Sequence, residues 1–252
     1  MVTKIGLTGS RIATASGAVL LDRDAVSNAI ALERAEDLFD PAYWRRRGEI
    51  VAADRGRGAA WFLSAPAGDW VLRHYRRGGA IAPLLSADRY LWMGEDRVRA
   101  FAEWRLLAQL WSLGLPVPRP IAARYSRRGL SYCCDLLMQR IADALPLSAA
   151  LAEAALPTAS WTAIGALIAR FHAAGVDHAD LNAHNILLGK AAALHLIDFD
   201  RGRIRPGGPW KDRNLQRLRR SLTKIAGGLP ADRFPAAAWN SLLGGYQNAP
   251  RL

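Results

Sequence analysis

The sequence predicts an α+β fold in two lobes, a β-rich first lobe over residues 1–140 and a shortened, mainly helical second lobe over residues 141–252. Three observations predict it. Strand-like apolar runs recur through residues 18–139. Helical periodicity appears at 95–113 and again at 160–174. Two short apolar runs, Ile186-Leu187-Leu188 and Ala193-Leu-His-Leu-Ile197, flank Gly189-Lys190 as a β-hairpin.

Taken in order, Ala18-Val-Leu-Leu21 reads as a strand, and Asp40-Pro-Ala-Tyr-Trp-Arg45 as a short helix with an Asp cap and Pro in its first position. Arg55-Gly-Arg-Gly-Ala-Ala-Trp-Phe-Leu63 lies between strand-like runs, and the second pair continues as Asp69-Trp-Val-Leu-Arg-His-Tyr75. A helix over 95–113 places Phe101, Trp104, Leu107 and Leu110 or Trp111 on one face, and Gly114 and Pro116 end it. Leu115-Pro-Val-Pro-Arg-Pro120 is a stiff extended connector. Strands follow at 121–125 and 132–139. The second holds Cys133 and Cys134, the only cysteines, whose adjacency suits neither a metal site nor a disulfide framework, so they pack as small apolar residues. The helix over 160–174 then turns Ile164, Leu167, Ile168 and Phe171 to the core.

That helix delivers the chain to His178-Ala-Asp-Leu-Asn-Ala-His-Asn185, and Asp198-Phe-Asp follows thirteen residues after the Asn. Phosphoryl transfer asks a protein to aim an alcohol at a γ-phosphate and to neutralise charge on its oxygens. In this spacing Asp180 accepts or orients the hydroxyl proton, Asn185 holds metal, and Asp198 holds the metal that bridges the ATP phosphates. Mg²⁺ prefers such carboxylate and amide oxygens. An isolated Asp-x₄-Asn is common by chance. Its joint occurrence with the upstream His and the hairpin points to a protein-kinase-like fold that uses ATP and Mg²⁺. Arg73 then stands where kinases carry the lysine of Val-Ala-Ile-Lys, with Glu103 able to pair with it. Gly56 and Gly58 suit a loop over phosphates, although the missing third glycine equally suits a plain hairpin turn. Near the change of lobe, Met138, Gln139 and Ile141 would meet the adenine edge.

The net charge of +12 comes from arginine: of 34 basic residues only Lys4, Lys190, Lys211 and Lys224 are lysines. The arginines fall in separate clusters, which implies an anionic partner. No recognition motif or aromatic-interleaved basic strand supports nucleic acid. No run approaches the ~18 apolar residues that span a bilayer, and the first thirty residues lack a signal-peptide core, so a soluble cytoplasmic protein is expected. Four of the five histidines fall within 24 residues without a coherent zinc spacing. Neither Ala-Pro-Glu nor a large peptide-gripping subdomain follows Asp198, so the acceptor is expected to be a small molecule or a sugar. The tail carries Trp210-Lys-Asp-Arg-Asn214 and then one helix, with Leu215, Leu218, Leu222 and Ile225 on one side and Arg213, Arg217, Arg220 and Lys224 on another. Such a stripe is usually a solvated face. Beside Arg201-x-Arg-x-Arg205, it could receive substrate phosphates or carboxylates, with Arg201, Lys211, Arg213 and Arg217 as the binding groups.

Trp70-Val-Leu-Arg-His-Tyr-Arg-Arg-Gly-Gly79, the loop from His178 to Asn185, Ile197-Asp-Phe-Asp-Arg-Gly202 and Trp210-Lys-x-x-Asn-Leu-x-Arg-Leu-x-Arg-Ser221 together resemble the 3-deoxy-D-manno-octulosonic acid (Kdo) kinases of Gram-negative bacteria. The resemblance implies ATP-dependent phosphorylation of the Kdo 4-hydroxyl on Kdo-lipid A during lipopolysaccharide core synthesis, with peripheral contact at the cytoplasmic face of the inner membrane. It implies Asp180 as base and Asn185 and Asp198 as metal ligands. Asn182 stands where protein kinases place a lysine two residues after the base, and it joins the substrate-binding set. Tyr43 and Trp44, taken as exposed, and Arg45 to Arg47 are expected on the membrane-facing side. The alternatives are a core heptose kinase, an aminoglycoside or choline kinase and, in another class, a catalytically inactive module that binds anionic lipid.

Overall fold

Alternating burial along β-branched and aromatic runs builds a sheet from the first half of the chain, and helical periodicity builds the second. The computed structural model describes residues 9–26, 32–54, 60–65, 67–76 and 88–250. Gly56 and Gly58 lie outside the described residues. The chain forms two units, residues 1–113 with 118–140 and residues 114–117 with 141–252.

The first unit runs β1 (Gly9–Ala13), β2 (Gly17–Asp22), α1 (Arg23–Val26), a 3₁₀ segment (Leu32–Phe39), α2 (Pro41–Arg46), β3 (Ile50–Asp54), β4 (Ala60–Ala65), β5 (Gly68–His74), β6 (Tyr90–Leu91), α3 (Arg99–Ser112), β7 (Pro120–Arg128) and β8 (Ser131–Gln139). Its antiparallel sheet has the order β1-β2-β7-β8-β5-β4-β3, with β6 added to β8. Val19, Leu21, Trp70, Leu72, Ile121 and Leu137 form a core on it. Cys134 is buried in β8, and burial pushes its thiol up to about 12.

α2 begins as its sequence predicts, with the Asp40 carboxylate accepting the Ala42 N–H at 2.8 Å. Its aromatic side corrects an expectation. Trp44 is fully buried, donates its indole N–H to the Leu38 carbonyl at 2.9 Å and meets Trp70 edge-on at 5.9 Å. Tyr43 packs partly buried against the same core, so of the residues assigned to a membrane face only Arg45, Arg46 and Arg47 are exposed. A helix this short buries one side, and its only tryptophan takes that side.

α3 starts at Arg99 rather than at 95. Residues Glu95–Arg97 form a 3₁₀ turn, and the fully buried Val98 is extended. Glu95 instead takes both guanidinium contacts of Arg11, at 2.9 and 2.8 Å, and the Tyr125 hydroxyl at 2.8 Å. From there the predicted face holds: Phe101, Trp104, Leu107 and Leu110 are buried, and Gly114, at φ +69°, follows the helix end.

The second unit runs β9 (Leu145–Pro146), α4 (Leu147–Glu153), α5 (Thr158–Ala173), β10 (Val176–Asp177), β11 (Ile186–Leu188), β12 (Leu194–Leu196), β13 (Arg203–Ile204), α6 (Trp210–Ala226) and α7 (Ala236–Gln247). α5 buries Ile164, Leu167, Ile168 and Phe171, as its period requires. α7 is a further correction, because the tail holds two helices and not one. Glycine here lets two helices touch. A Cβ on Gly165 of α5 would lie 1.9 Å from the Leu242 carbonyl oxygen, and one on Gly245 would lie 2.0 Å from that of Thr162. Gly165→Ala should therefore destabilise the protein by about 2–3 kcal/mol through forced separation of α5 and α7, read as a lower urea midpoint.

His172 is buried between Trp210 and Tyr246, with its Nδ1 2.9 Å from the Tyr246 hydroxyl. Burial, followed by the charge of Lys211, lowers its pKa from 6.5 to about 4. The unfolded chain therefore binds the extra proton first. The stability of the neutral ring is complete above pH 6.5 and is lost as pH falls toward 4, by roughly 2–3 kcal/mol. Thermal unfolding between pH 7 and 4.5 should show this loss, and His172→Gln should flatten it.

Candidate active site

The hairpin positions the polar groups of the second unit. β11 pairs with β12 so that Ile186 faces Leu196 and Leu188 faces Leu194. The pairing continues one step, since the Ile197 N–H donates to the Asn185 carbonyl at 3.0 Å. Asn185 thus precedes one strand, and Asp198 comes just after the pairing on the other.

Both are held. Asn185 is buried and donates its side-chain N–H to the Asp180 carbonyl at 3.0 Å, while its Oδ1 accepts no hydrogen bond among the described residues. Asp198 has φ +64°, a strained backbone for a residue with a Cβ, of the kind that gathers at functional sites. The residues on either side hold it there. The Ile197 carbonyl lies 2.9 Å from Nε2 of His178, and the buried Phe199 stacks on Phe171 and tilts against the His178 ring. Burial lowers the pKa of His178 and keeps the ring neutral, so Nε2–H donates to Ile197 and Nδ1 stays buried without a partner among the described residues.

Asp180 itself is exposed. Its N–H donates to the His178 carbonyl at 2.6 Å, and its Oδ1 accepts from Arg217 at 3.2 Å. Asn182 closes the loop, donating to the Asp180 carbonyl at 2.9 Å and accepting the His184 N–H at 2.9 Å. It braces the turn.

Two anchors here escaped sequence reasoning. Asn214, buried on α6, donates to Asp177 Oδ1 at 2.9 Å and accepts the His178 N–H at 3.2 Å. Ser221, two turns on, accepts the Ala183 N–H at 3.2 Å. With Arg217 they form one face of α6 at steps of three and four, a spacing that the leucine and arginine stripes masked. Burial works to raise the pKa of Asp177, but hydrogen bonds from Asn214, the Ala179 N–H and Arg205 outweigh it, and the carboxyl sits below its usual range.

Of the arginines, Arg213 and Arg217 line an open cavity together with Arg203, Arg205 and Arg220. Arg201 is exposed and is not part of its wall, while Lys211 lies over the Trp210 ring at 5.7 Å. Strand alternation would put residues 201, 203 and 205 on one side and so does not separate them; what does is that β13 begins only at Arg203.

In the first unit, Arg73 donates to Glu103 Oε2 at 2.6 Å and lies 4.7 Å over the Tyr75 ring, whose hydroxyl donates to the same oxygen. Glu103 is almost fully buried. Burial, then the Glu103 charge, holds the Tyr75 hydroxyl well above its ordinary pKa, so it remains a donor. Met138 is buried in β8 opposite Val71, and the Gln139 N–H is taken by the Arg119 carbonyl at 2.9 Å. Ile141 opens the second unit, and its N–H donates to no backbone acceptor among the described residues.

No group of three or more His, Cys, Asp or Glu side chains forms a metal cluster among the described residues. Mg²⁺ requires none, because it keeps waters and takes one or two carboxylates together with substrate phosphates. The Asn185 Oδ1 and the Asp198 carboxylate fit that donor set.

A family model described as "Lipopolysaccharide kinase (Kdo/WaaP) family" matches residues 41–246. A protein of Stenotrophomonas maltophilia (strain R551-3) named 3-deoxy-D-manno-octulosonic acid kinase is 50% identical over 225 residues, covering 88% of this chain and 86% of its own length. Proteins of the same name from Xanthomonas axonopodis pv. citri (strain 306) and Xanthomonas oryzae pv. oryzae (strain PXO99A) are 52% and 50% identical, each over 212 residues, 84% of this chain and 82% of theirs.

Replacing Asn214 by Ala should destabilise the fold by about 2–4 kcal/mol, because it leaves a buried carboxylate and a buried N–H short of partners. Asn182→Ala, in a partly exposed turn, should lose about 1 kcal/mol or less. Equal losses in urea unfolding would contradict the anchoring role of Asn214.

Proposed function

The chain belongs to the lipopolysaccharide kinase (Kdo/WaaP) family, and from that premise we propose that it transfers the γ-phosphate of ATP to the 4-hydroxyl of Kdo in Kdo-lipid A. The observation that carries the reading is the hairpin register, which gathers Asp180, Asn185 and Asp198 around one bond between Ile197 and Asn185. The name shared by relatives about half identical to this chain supports the acceptor.

Each residue has a chemical task. Asp180, exposed on a loop braced by Asn182 and Asn185, orients the acceptor hydroxyl and takes its proton as the oxygen attacks phosphorus. Asn185 and Asp198 would hold Mg²⁺, which when bound neutralises charge on the phosphate oxygens. Arg73, clamped by Glu103 and Tyr75, presents a fixed guanidinium to the nucleotide phosphates in the role that kinases give a lysine. The acceptor is a glycolipid, so we place the enzyme at the cytoplasmic surface of the inner membrane as a peripheral protein. No helix among the described residues is long and apolar enough to cross a membrane.

The test is transfer of labelled γ-phosphate from Mg·ATP to a Kdo-lipid A precursor. Asp180→Ala should lower kcat by roughly a hundredfold to ten-thousandfold while circular dichroism stays unchanged. A folded wild type that leaves Kdo unmodified but labels a heptose-bearing acceptor would move the reading to a heptose kinase.

A further inference from the structure

The open cavity beside the catalytic loop, about 380 Å³, is walled by Arg203, Arg205, Arg213, Arg217 and Arg220 around the carboxylate of Asp177. Its volume suits a sugar-sized ligand. Asp177 engages Arg205 at 3.2 Å and Arg203 at 3.9 Å. The side chains of Arg213 and Arg220, both exposed on α6, make no hydrogen bond or ion pair among the described residues. One carboxylate thus faces five guanidinium groups, and positive charge in a concave wall concentrates a field that favours an anion.

Arg217 relates this cavity to the chemistry. It lines the cavity and also reaches Asp180 Oδ1 at 3.2 Å. An anion in the cavity therefore stands one guanidinium away from the group that orients the accepting hydroxyl. We propose that the cavity is the subsite for the carboxylate of the acceptor sugar, with Arg213 and Arg220 as its free forks and Arg217 as the edge shared with Asp180. The proposal rests on the acceptor reading above. In Kdo the carboxylate is borne on C2, two ring carbons from the C4 hydroxyl, so one pyranose presents both groups to neighbouring protein sites. The phosphates of the lipid lie on another sugar, beyond a glycosidic bond. A planar carboxylate also matches the paired N–H groups of guanidinium.

The subsite can be read without transfer. Calorimetric titration of the ATP-free protein with free Kdo should give a dissociation constant about tenfold to a hundredfold weaker in the Arg213→Gln/Arg220→Gln double variant than in wild type. These exposed side chains hold nothing else in place among the described residues, so the variant should remain folded by circular dichroism. Inorganic phosphate titrated in parallel should bind more weakly than Kdo. Phosphate binding more tightly would overturn the assignment to a carboxylate.

In transfer assays, the ratio of kcat/KM for the natural acceptor over one with the Kdo carboxylate converted to an amide should be about ten or more in wild type. In the double variant it should fall toward one through the acceptor KM, with the KM for ATP as control. Arginine-independent Kdo binding beside normal transfer would sink the subsite and leave the kinase reading intact. Arginine-dependent Kdo binding without transfer to any Kdo acceptor would do the reverse.

Discussion

The catalytic loop depends on one buried amide. Asn214 sits where α6 passes beneath the loop and satisfies the Asp177 carboxylate and the His178 N–H together. Without it, the buried His178 N–H would lose its acceptor, and the Asp177 carboxylate would be left to the Ala179 N–H and Arg205. Because Val176 and Asp177 pair with Ile204 and Arg203 across β10 and β13, the same amide fixes the strand that follows Asp198. Gly175, just before, runs so close to that strand that a Cβ would lie 2.8 Å from the Arg205 carbonyl oxygen. Loop, strand and helix are thus registered by polar bonds that only a dry setting makes strong.

Polar anchoring of this kind suits the chemistry proposed for the loop. Asp180 has to remain charged and exposed, so it contributes no burial of its own and must be positioned by its backbone. Three hydrogen bonds do so: its N–H to His178, and its carbonyl shared by the side chains of Asn182 and Asn185. The strain at Asp198 is offset in the same way, by a buried phenylalanine on one side and a histidine hydrogen bond on the other. Around Asp180 and Asp198 the rigidity comes from uncharged neighbours.

Local patterns were legible in the sequence, and long-range choices were not. The hairpin, the Asp40 cap and the faces of α3 and α5 follow from period and turn chemistry, the pairing of Arg73 with Glu103 follows from the kinase pattern, and the structure holds all of them. What failed depended on partners distant in sequence. α7 went unread, and the glycines that let it pack, Gly165 and Gly245, lie far apart in sequence. Trp44 beside Arg45 suggests an interface until Trp70 and Leu38 are seen to enclose it. Glu95 looks like the start of a helix until Arg11 claims it. Asn214 and Ser221 stand in the motif that carries the resemblance, but no role was legible for them, because single polar residues on a helix carry no periodic signal, however many bonds they form.

The arginine at position 73 shows how a departure from a familiar pattern is absorbed. A lysine in that place needs one acid partner, because its ammonium is a compact charge on a flexible stem. Arginine presents a plane, and a plane must be supported on its face as well as at its edge. Tyr75, two residues along the chain and on the same side, supplies the face at 4.7 Å, while Glu103 takes the edge at 2.6 Å. The tyrosine hydroxyl, kept protonated by burial and by the nearby carboxylate, donates back to Glu103 and shares its charge. The three side chains are linked so that the guanidinium cannot swing away without unstacking from the ring. The substitution therefore exchanges the reach of lysine for fixed orientation, and it depends on an aromatic residue being held at position 75.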